Sequence, residues 1–379
     1  MVKLRHKIFF VAAVEFSVNS FLLNHIKKLS GYFDITVITS CDDALFLQKQ
    51  GLDVKVIPMK IERKVQPFKD FFVLIKLVVL FVRHKPKAVH SITPKAGLLA
   101  MLAANLAKVP FRVHTFTGQV WVLDQGFKRL CLKTMDKFIG ALTTHNIVDS
   151  SSQLDFLVKQ HVLHPEKASV FGSGSVGGVD LTRFKKNIHF RKLVRKELNL
   201  PNKSFVFLYL GRLTKDKGVL DLAHAFSMIQ NADTYLIFVG PDEGDYSSQI
   251  KIICSNKTNN IRLIGFTKLP YKFLSAADVL CLPSYREGFG SVIIEAAAMQ
   301  IPAFGSNIYG IKDAIKDNQT GLLHKVGDIS DIKKSMEVLL KDRYLLNKLG
   351  RQAKARAICE FDANILTNIW LKFYKKNLK

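Results

Sequence analysis

Two short segments in the second half of this 379-residue chain hold residue types that could manage a phosphorylated ligand. One reads Pro283-Ser284-Tyr285-Arg286-Glu287-Gly288-Phe289-Gly290-Ser291-Val292-Ile293-Ile294-Glu295. An apolar run over 279–282 precedes it, and the pattern turns helical near Gly290 or Ser291. The segment is therefore a strand, a glycine-bearing loop and a helix start. Backbone N–H groups at such a start, aligned with the helix dipole, attract a phosphate anion. Glycine lets the backbone come close to it. Glu287 lies just before the helix and Glu295 about one turn inside it, so both could border one pocket. Carboxylates there would repel a lone phosphate. They suit a ligand whose phosphates take the amides while its hydroxyls take the carboxylates, and a nucleotide sugar is such a ligand.

The other segment, Leu210-Gly211-Arg212-Leu213-Thr214-Lys215-Asp216-Lys217-Gly218, supplies cations, again between a strand and a helix. Arg212 offers a planar fork and Lys217 a point charge, a pair able to neutralise a diphosphate. Either segment alone is common. Both together, in this order, point to one diphosphate site.

Other constellations fall short. Gly172-Ser173-Gly174-Ser175-Val176-Gly177 has the G-x-G-x-x-G spacing, but no helix opens after it and no βαβ unit surrounds it. It reads as a turn at a domain boundary. There is no Walker A sequence and no Asp-x-Asp pair; Glu243 and Asp245 come closest and read as a solvated loop. His161 and His164 lack a carboxylate partner at ligand spacing. The five cysteines, Cys41, Cys131, Cys254, Cys281 and Cys359, are scattered and odd in number, which suits single thiols in a reducing compartment. No metal site and no cofactor are expected, so catalysis should be metal-independent.

Elements of α/β type must position these residues. Apolar β-rich runs at 8–14, 34–40, 53–59, 88–92, 111–116 and 141–145 alternate with helical stretches at 20–30, 68–83, 96–107, 127–140 and 150–160. Several runs are apolar on both faces, as in a parallel sheet covered on both sides. The alternation pauses over 170–202, a glycine/serine turn followed by a basic linker, and restarts at 205–210, 235–239, 261–264, 279–282, 302–304 and 321–323. This is a doubly wound α/β architecture in two units, with the ligand expected in the cleft between them. The boundaries read as 1–190, 191–360 and a C-terminal amphipathic helix within 361–379, able to pack back on the first domain. Lys3, Arg5 and Lys7 ahead of Ile8–Val14 imitate a signal peptide, yet the run is short and meets Glu15, so it reads as a first buried strand. The longest apolar run, Phe71–Val82, is interrupted by Lys76 and is too short to span a bilayer.

Composition is ordinary, with 48% hydrophobic and 23% charged residues, which excludes a disordered or disulfide-scaffold protein. Charge is not ordinary. The formal net value is +25, and residues 63–137 hold 14 Lys/Arg, among them Arg63, Lys64, Lys69, Arg83, Lys85 and Lys87, against Asp70, Asp124 and Asp136. That stretch includes a helix, 68–83, nearly too apolar to be exposed. A core helix with a solvated charged edge is one reading, and interfacial attachment to anionic lipid the other. No nucleic-acid recognition motif accompanies the charge, so nucleic acid is not an expected partner.

The two segments resemble those of the retaining glycosyltransferases of family 4, whose GT-B fold has two facing Rossmann-like domains. The resemblance covers most of the chain. His90-Ser91-Ile92-Thr93-Pro94-Lys95-Ala96-Gly97, the 172–180 turn and Gly310…Thr320-Gly321 are similar to bacterial members that build O-antigen, capsule and other surface glycans. It implies an acceptor-side first domain and a nucleotide-sugar-binding second one. It implies that Gly211, Arg212 and Lys217 hold the donor diphosphate, that Glu287 contacts the donor sugar, and that Glu295 holds the ribose hydroxyls. Amides around Gly288, Phe289, Gly290, Ser291 and Val292 would take the phosphates. Arg212, Lys217 and Glu287 would carry catalysis. A UDP-sugar donor, a polyprenyl-diphosphate-linked glycan acceptor and a cytoplasmic place at the inner face of the plasma membrane follow from the same resemblance. A nucleotide-sugar epimerase or hydrolase of this architecture is the alternative. Two departures stand out. The first strand-to-helix loop, Glu15 to Ser20, has no glycine, and Thr117 stands where many relatives carry a histidine, with His114 three residues earlier.

Overall fold

A computed structural model describes residues 5–62 and 66–378, and among these, thirteen strands form two parallel sheets. Lys3, Arg63 and Lys64 lie outside the described residues. The chain divides into two compact units: Met1–Gly177 with Ala363–Lys379, and Gly178–Asp362.

In the first unit the strands are β1 (Lys7–Val14), β2 (Asp34–Ser40), β3 (Lys55–Pro58), β4 (Ala88–Ile92), β5 (Phe111–Phe116), β6 (His145–Val148) and β7 (Ala168–Val170). They lie in the order β3-β2-β1-β4-β5-β6-β7, every pair parallel. β1 and β4 are buried almost throughout because helices cover both faces. On one face Val73, Leu77 and Phe81 of the helix Pro67–His84 join the core with the helix Pro94–Leu106. β6 begins where the run at 141–145 was expected to end, since Ala141 and Leu142 still belong to the helix Gly126–Leu142. β7, three half-buried residues, is too short to announce itself in sequence.

The missing glycines after β1 have a physical reason. β1 runs directly into Glu15–Ser17, a π-helical turn Val18–Leu22 and the helix Leu23–Leu29, so there is no tight loop for glycine to serve. The helix Ala363–Asn377 returns to this unit. Its Trp370 indole stacks on His25 at 4.0 Å and on His90 at 4.8 Å, nearly parallel to each. His90 also shares hydrogen bonds with the Tyr374 hydroxyl (2.5 Å) and Thr115 Oγ1 (2.7 Å).

The second unit holds β8 (Phe205–Leu210), β9 (Thr234–Val239), β10 (Ile261–Ile264), β11 (Val279–Leu282), β12 (Ala303–Ser306) and β13 (Gly321–His324) in the order β10-β9-β8-β11-β12-β13. The boundary falls at Gly177/Gly178 rather than 190/191. The Val179 N–H donates to the Phe361 carbonyl, and Phe184 enters the second core. Nor is the basic stretch after it a linker. Asn187 caps a helix, Ile188–Glu197, by accepting from the N–H groups of His189 and Phe190. Arg191 and Arg195 of that helix grip the Asp278 carboxylate at 2.8 and 3.0 Å, and Arg195 is buried. Its cations hold structure, which charge counting alone could not reveal.

Candidate active site

The loops that leave the carboxyl ends of β8, β9, β11 and β12 lie side by side, as the strand order requires. Gly218 has φ +66, and a Cβ there would overlap the Pro283 carbonyl, so only glycine lets the β8 and β11 loops close up. The Tyr285 N–H donates to the Asp216 carbonyl at 2.9 Å, and Arg286 pairs with the Asp216 carboxylate at 2.8 Å. On the other side the Leu213 N–H donates to the Pro241 carbonyl at 2.8 Å, joining the β8 and β9 loops. Gly310 at φ +82, after β12, would with a Cβ press on the Gly288 carbonyl at 2.5 Å.

Lys217 and Glu287 meet in this nest. Lys217 Nζ lies 2.6 Å from Glu287 Oε1, each side chain 16% exposed. The Ser284 hydroxyl donates to the same oxygen at 3.0 Å. Arg212 points elsewhere, its guanidinium 2.6 Å from the Glu243 carboxylate in a well-exposed pair. Glu243, read from the sequence as a solvated loop residue, thus has a specific partner. Nothing in local spacing signals a contact between loops after adjacent strands. The Tyr209 hydroxyl donates to the Arg212 carbonyl at 2.6 Å and fixes the loop from Gly211 onward.

Gly290, at φ +80, is the N-cap of the helix Ser291–Ala298, and no side chain caps it. The amides of Ser291 and Val292 open this helix, where the dipole favours an anion. Phe289 is fully buried against Phe361, so only its backbone could meet a ligand here. The Glu295 side chain is half-buried and has no hydrogen-bond or ion-pair partner among the described residues. Burial pushes its carboxyl up to about 7, an effect Arg183 partly offsets. Among the described residues no three of His, Cys, Asp or Glu cluster as metal ligands would. Asp245 turns inward to its own loop, accepting from the Ser248 hydroxyl.

In the first unit His114 is a core residue. Its ring bonds to Ser91 Oγ at 2.8 Å and fills the space where a Cβ on Gly97 would be, and burial lowers its pKa to about 3. The Thr117 carbonyl accepts weakly from Gln153. The turn 172–177 also serves structure: Ser175 and Val176 donate to Asp149, and the Val176 carbonyl meets His25 Nε2 at 2.6 Å.

Comparison with known proteins agrees with this anatomy. Residues 7–146 match the family described as Glycosyl transferase 4-like, and residues 190–356 that described as Glycosyl transferases group 1. The capsular polysaccharide biosynthesis glycosyltransferase CapM of Staphylococcus aureus is 31% identical over 351 residues, 90% of each chain. The UDP-Gal:alpha-D-GlcNAc-diphosphoundecaprenol alpha-1,3-galactosyltransferase of Escherichia coli is 30% identical over 79% of this chain and 78% of its own. Among solved structures Anabaena Alr3699/HepE, in complex with UDP and glucose, aligns over 98% of this chain and all of its own, with a TM-score of 0.83 at 18% identity, a likeness of fold. Two parallel Rossmann-like sheets, both family matches and a relative of this similarity lead to one assignment: the chain belongs to glycosyltransferase family 4, has the GT-B fold, and is a glycosyltransferase of the hexosyltransferase type.

Proposed function

We propose that this glycosyltransferase moves a hexose from a UDP-sugar to a polyprenyl-diphosphate-linked glycan, with retention at the anomeric carbon, during assembly of a bacterial surface polysaccharide. The observation that carries the reading is the Lys217–Glu287 pair, set in loops beside an uncapped helix start. Support for the donor and acceptor classes comes from the names of relatives, one using UDP-Gal and a diphosphoundecaprenol acceptor, and from a fold neighbour holding UDP and glucose. As the anomeric C–O bond breaks, charge grows on the departing diphosphate. Lys217, Arg212 and the amides from Gly288 to Val292 are the groups to receive it, and their electrostatic stabilisation needs no metal ion. Glu287, held by Lys217 and Ser284, is assigned to the donor sugar's hydroxyls and Glu295 to the ribose. Gly211 lets the loop turn beneath the phosphates. The acceptor would be met at the inner face of the plasma membrane by a cytoplasmic protein. No helix among the described residues is long and apolar enough to cross a membrane.

The test is transfer from a panel of UDP- and GDP-sugars to an undecaprenyl-diphosphate-linked acceptor, with the product's anomeric coupling read by NMR. Transfer from UDP-sugars with the donor's configuration kept is expected. Preference for another nucleotide, an inverted product, or turnover of donor alone to an epimer would overturn the corresponding part.

A further inference from the structure

The helix Pro67–His84 is apolar on both sides. Val73, Leu77 and Phe81 face the core. Phe68, Phe72, Ile75 and Val79, spaced by four, three and four residues, lie along the opposite line and are exposed, Phe68 to 85%. The helix Gly126–Leu142 repeats the feature with Phe127, 81% exposed, and Leu130. Both helices pack against Pro94–Leu106 and so belong to one layer of the first unit. Soluble surfaces rarely gather large apolar side chains this way without a partner.

Glu62 and Asp124, at the ends of the two helices, are each paired with lysine, Glu62 with Lys60 and Lys69 and Asp124 with Lys128, and the exposed charges that remain on the helices have one sign. Lys76, Arg83 and Lys137 are exposed, and none pairs with an acid among the described residues. The acids of the two helices are turned away from the surface. Asp70 is bound to Lys95 at 2.6 Å, and Asp136 is buried, accepting from the Trp121 indole at 2.7 Å. Two copies meeting through this surface would set cations against cations. A bilayer with anionic headgroups offers the complement: negative charge at the rim and hydrocarbon just beneath.

We propose that this surface inserts into anionic bilayers, the phenylalanines and their aliphatic neighbours entering the acyl boundary while the cations stay at the headgroups. The inference rests on the membrane setting proposed above and deepens it by naming the contact and its mode, apolar insertion in addition to charge. Attraction between charges fades as salt shortens the screening length to about 3 Å at about 1 M. Apolar insertion does not fade in this way.

The experiment compares the full chain with the triple variant Phe68→Ser, Phe72→Ser, Phe127→Ser, and with Lys76→Glu, Arg83→Glu, Lys137→Glu. Co-sedimentation is measured with phosphatidylglycerol–phosphatidylethanolamine vesicles and with phosphatidylcholine vesicles, at low salt and at about 1 M NaCl. The expected result is binding to the anionic vesicles that partly survives high salt. The serine variant should lose the surviving fraction, with partitioning weakened about tenfold or more. The charge-reversed variant should lose mainly the low-salt gain. Complete release of the native protein by salt would overturn insertion. So would a serine variant that binds as before, or a concentration-dependent dimer abolished by the serines, which would make a second copy the occupant. Transfer to a detergent-solubilised acceptor is assayed in parallel. A protein that inserts but ignores lipid-linked acceptors would leave this surface standing and remove the acceptor reading instead.

Discussion

Lys217 and Glu287 are 70 positions apart in sequence and 2.6 Å apart in space, each delivered by the loop at the end of a neighbouring strand. The pair leaves one cation and one carboxylate fixed side by side where a sugar diphosphate would meet both. Replacing Lys217 with alanine removes a group assigned to the leaving diphosphate and also releases Glu287. Lys217→Ala and Arg212→Ala should each cost about 2–4 kcal/mol of transition-state stabilisation, with kcat falling more than donor affinity. Steady-state kinetics on folded variants decide it, and a near-normal kcat for Lys217→Ala would sink the assignment.

To take the role proposed for it, Arg212 would have to exchange Glu243 for the diphosphate. The pair is well exposed and so contributes less than about 1 kcal/mol. Glu243→Gln should therefore tighten UDP binding modestly, about twofold to fivefold, by calorimetry. A weakened affinity would mean that Glu243 itself touches the donor.

Glu295 gives a pH signature. Its folded pKa, about 7, lies above the ordinary 4.5, so its contribution to stability is present in full below about pH 4.5 and lost as pH rises through about 7. Glu295→Gln should then match the native protein near pH 4 and exceed it by about 1–3 kcal/mol near pH 8 in denaturant melts. Ribose hydroxyls donate to the ionised carboxylate, so UDP affinity should rise between about pH 6 and about pH 8 in the native protein and stay flat in the variant. A flat native profile would remove Glu295 from the site.

Acid should attack the first unit. Burial holds His25 down to about 4 and His114 to about 3, both against 6.5. Depressed histidines stabilise the fold above their unfolded pKa and lose that contribution as pH falls. Each is worth roughly 3 kcal/mol once pH drops from about 6.5 to about 4. Thermal melts should drop steeply over that window. Trp370→Ala, which strips the indole from His25 and His90, should cost about 3–5 kcal/mol at neutral pH.

Chelation is the simplest trial. With cationic side chains and amides assigned to the diphosphate, turnover should survive EDTA. Loss of activity that magnesium or manganese restores would contradict this.

Legibility in the sequence followed the range of the forces involved. β2, β4, β5, β8 and β11 fell where their apolar runs placed them, because a strand buried on both faces is written locally, and the half-buried edge strand β10 fell in place as well. The segment Gly288–Val292 was legible for the same reason, a glycine loop followed by a helix start. Contacts between loops were not. The Arg212–Glu243 pair depends on β8 lying beside β9, which no local spacing states. Arg191 and Arg195 counted as linker charge until Asp278 supplied their partner. Gly97 shows the limit most simply. Its sequence context suggested kinship, while its physical reason is the imidazole of His114 from the neighbouring strand.

The helix that carries Trp370 and Tyr374 reverses the order in which the two units can be finished. The chain leaves the first unit at Gly177 and re-enters it at Ala363, which makes the second unit an insertion within the first. During synthesis all seven strands of the first sheet emerge before the helix Ala363–Asn377, and the groove lined by His25, His90 and Phe171 has no cover until that helix is made. The second unit is continuous in sequence and can complete its own core in that interval, as domains made during translation do. The half that starts first is therefore sealed only after the other has been made. While the second unit is being made, the nascent chain carries an open aromatic groove, the kind of surface that chaperones hold.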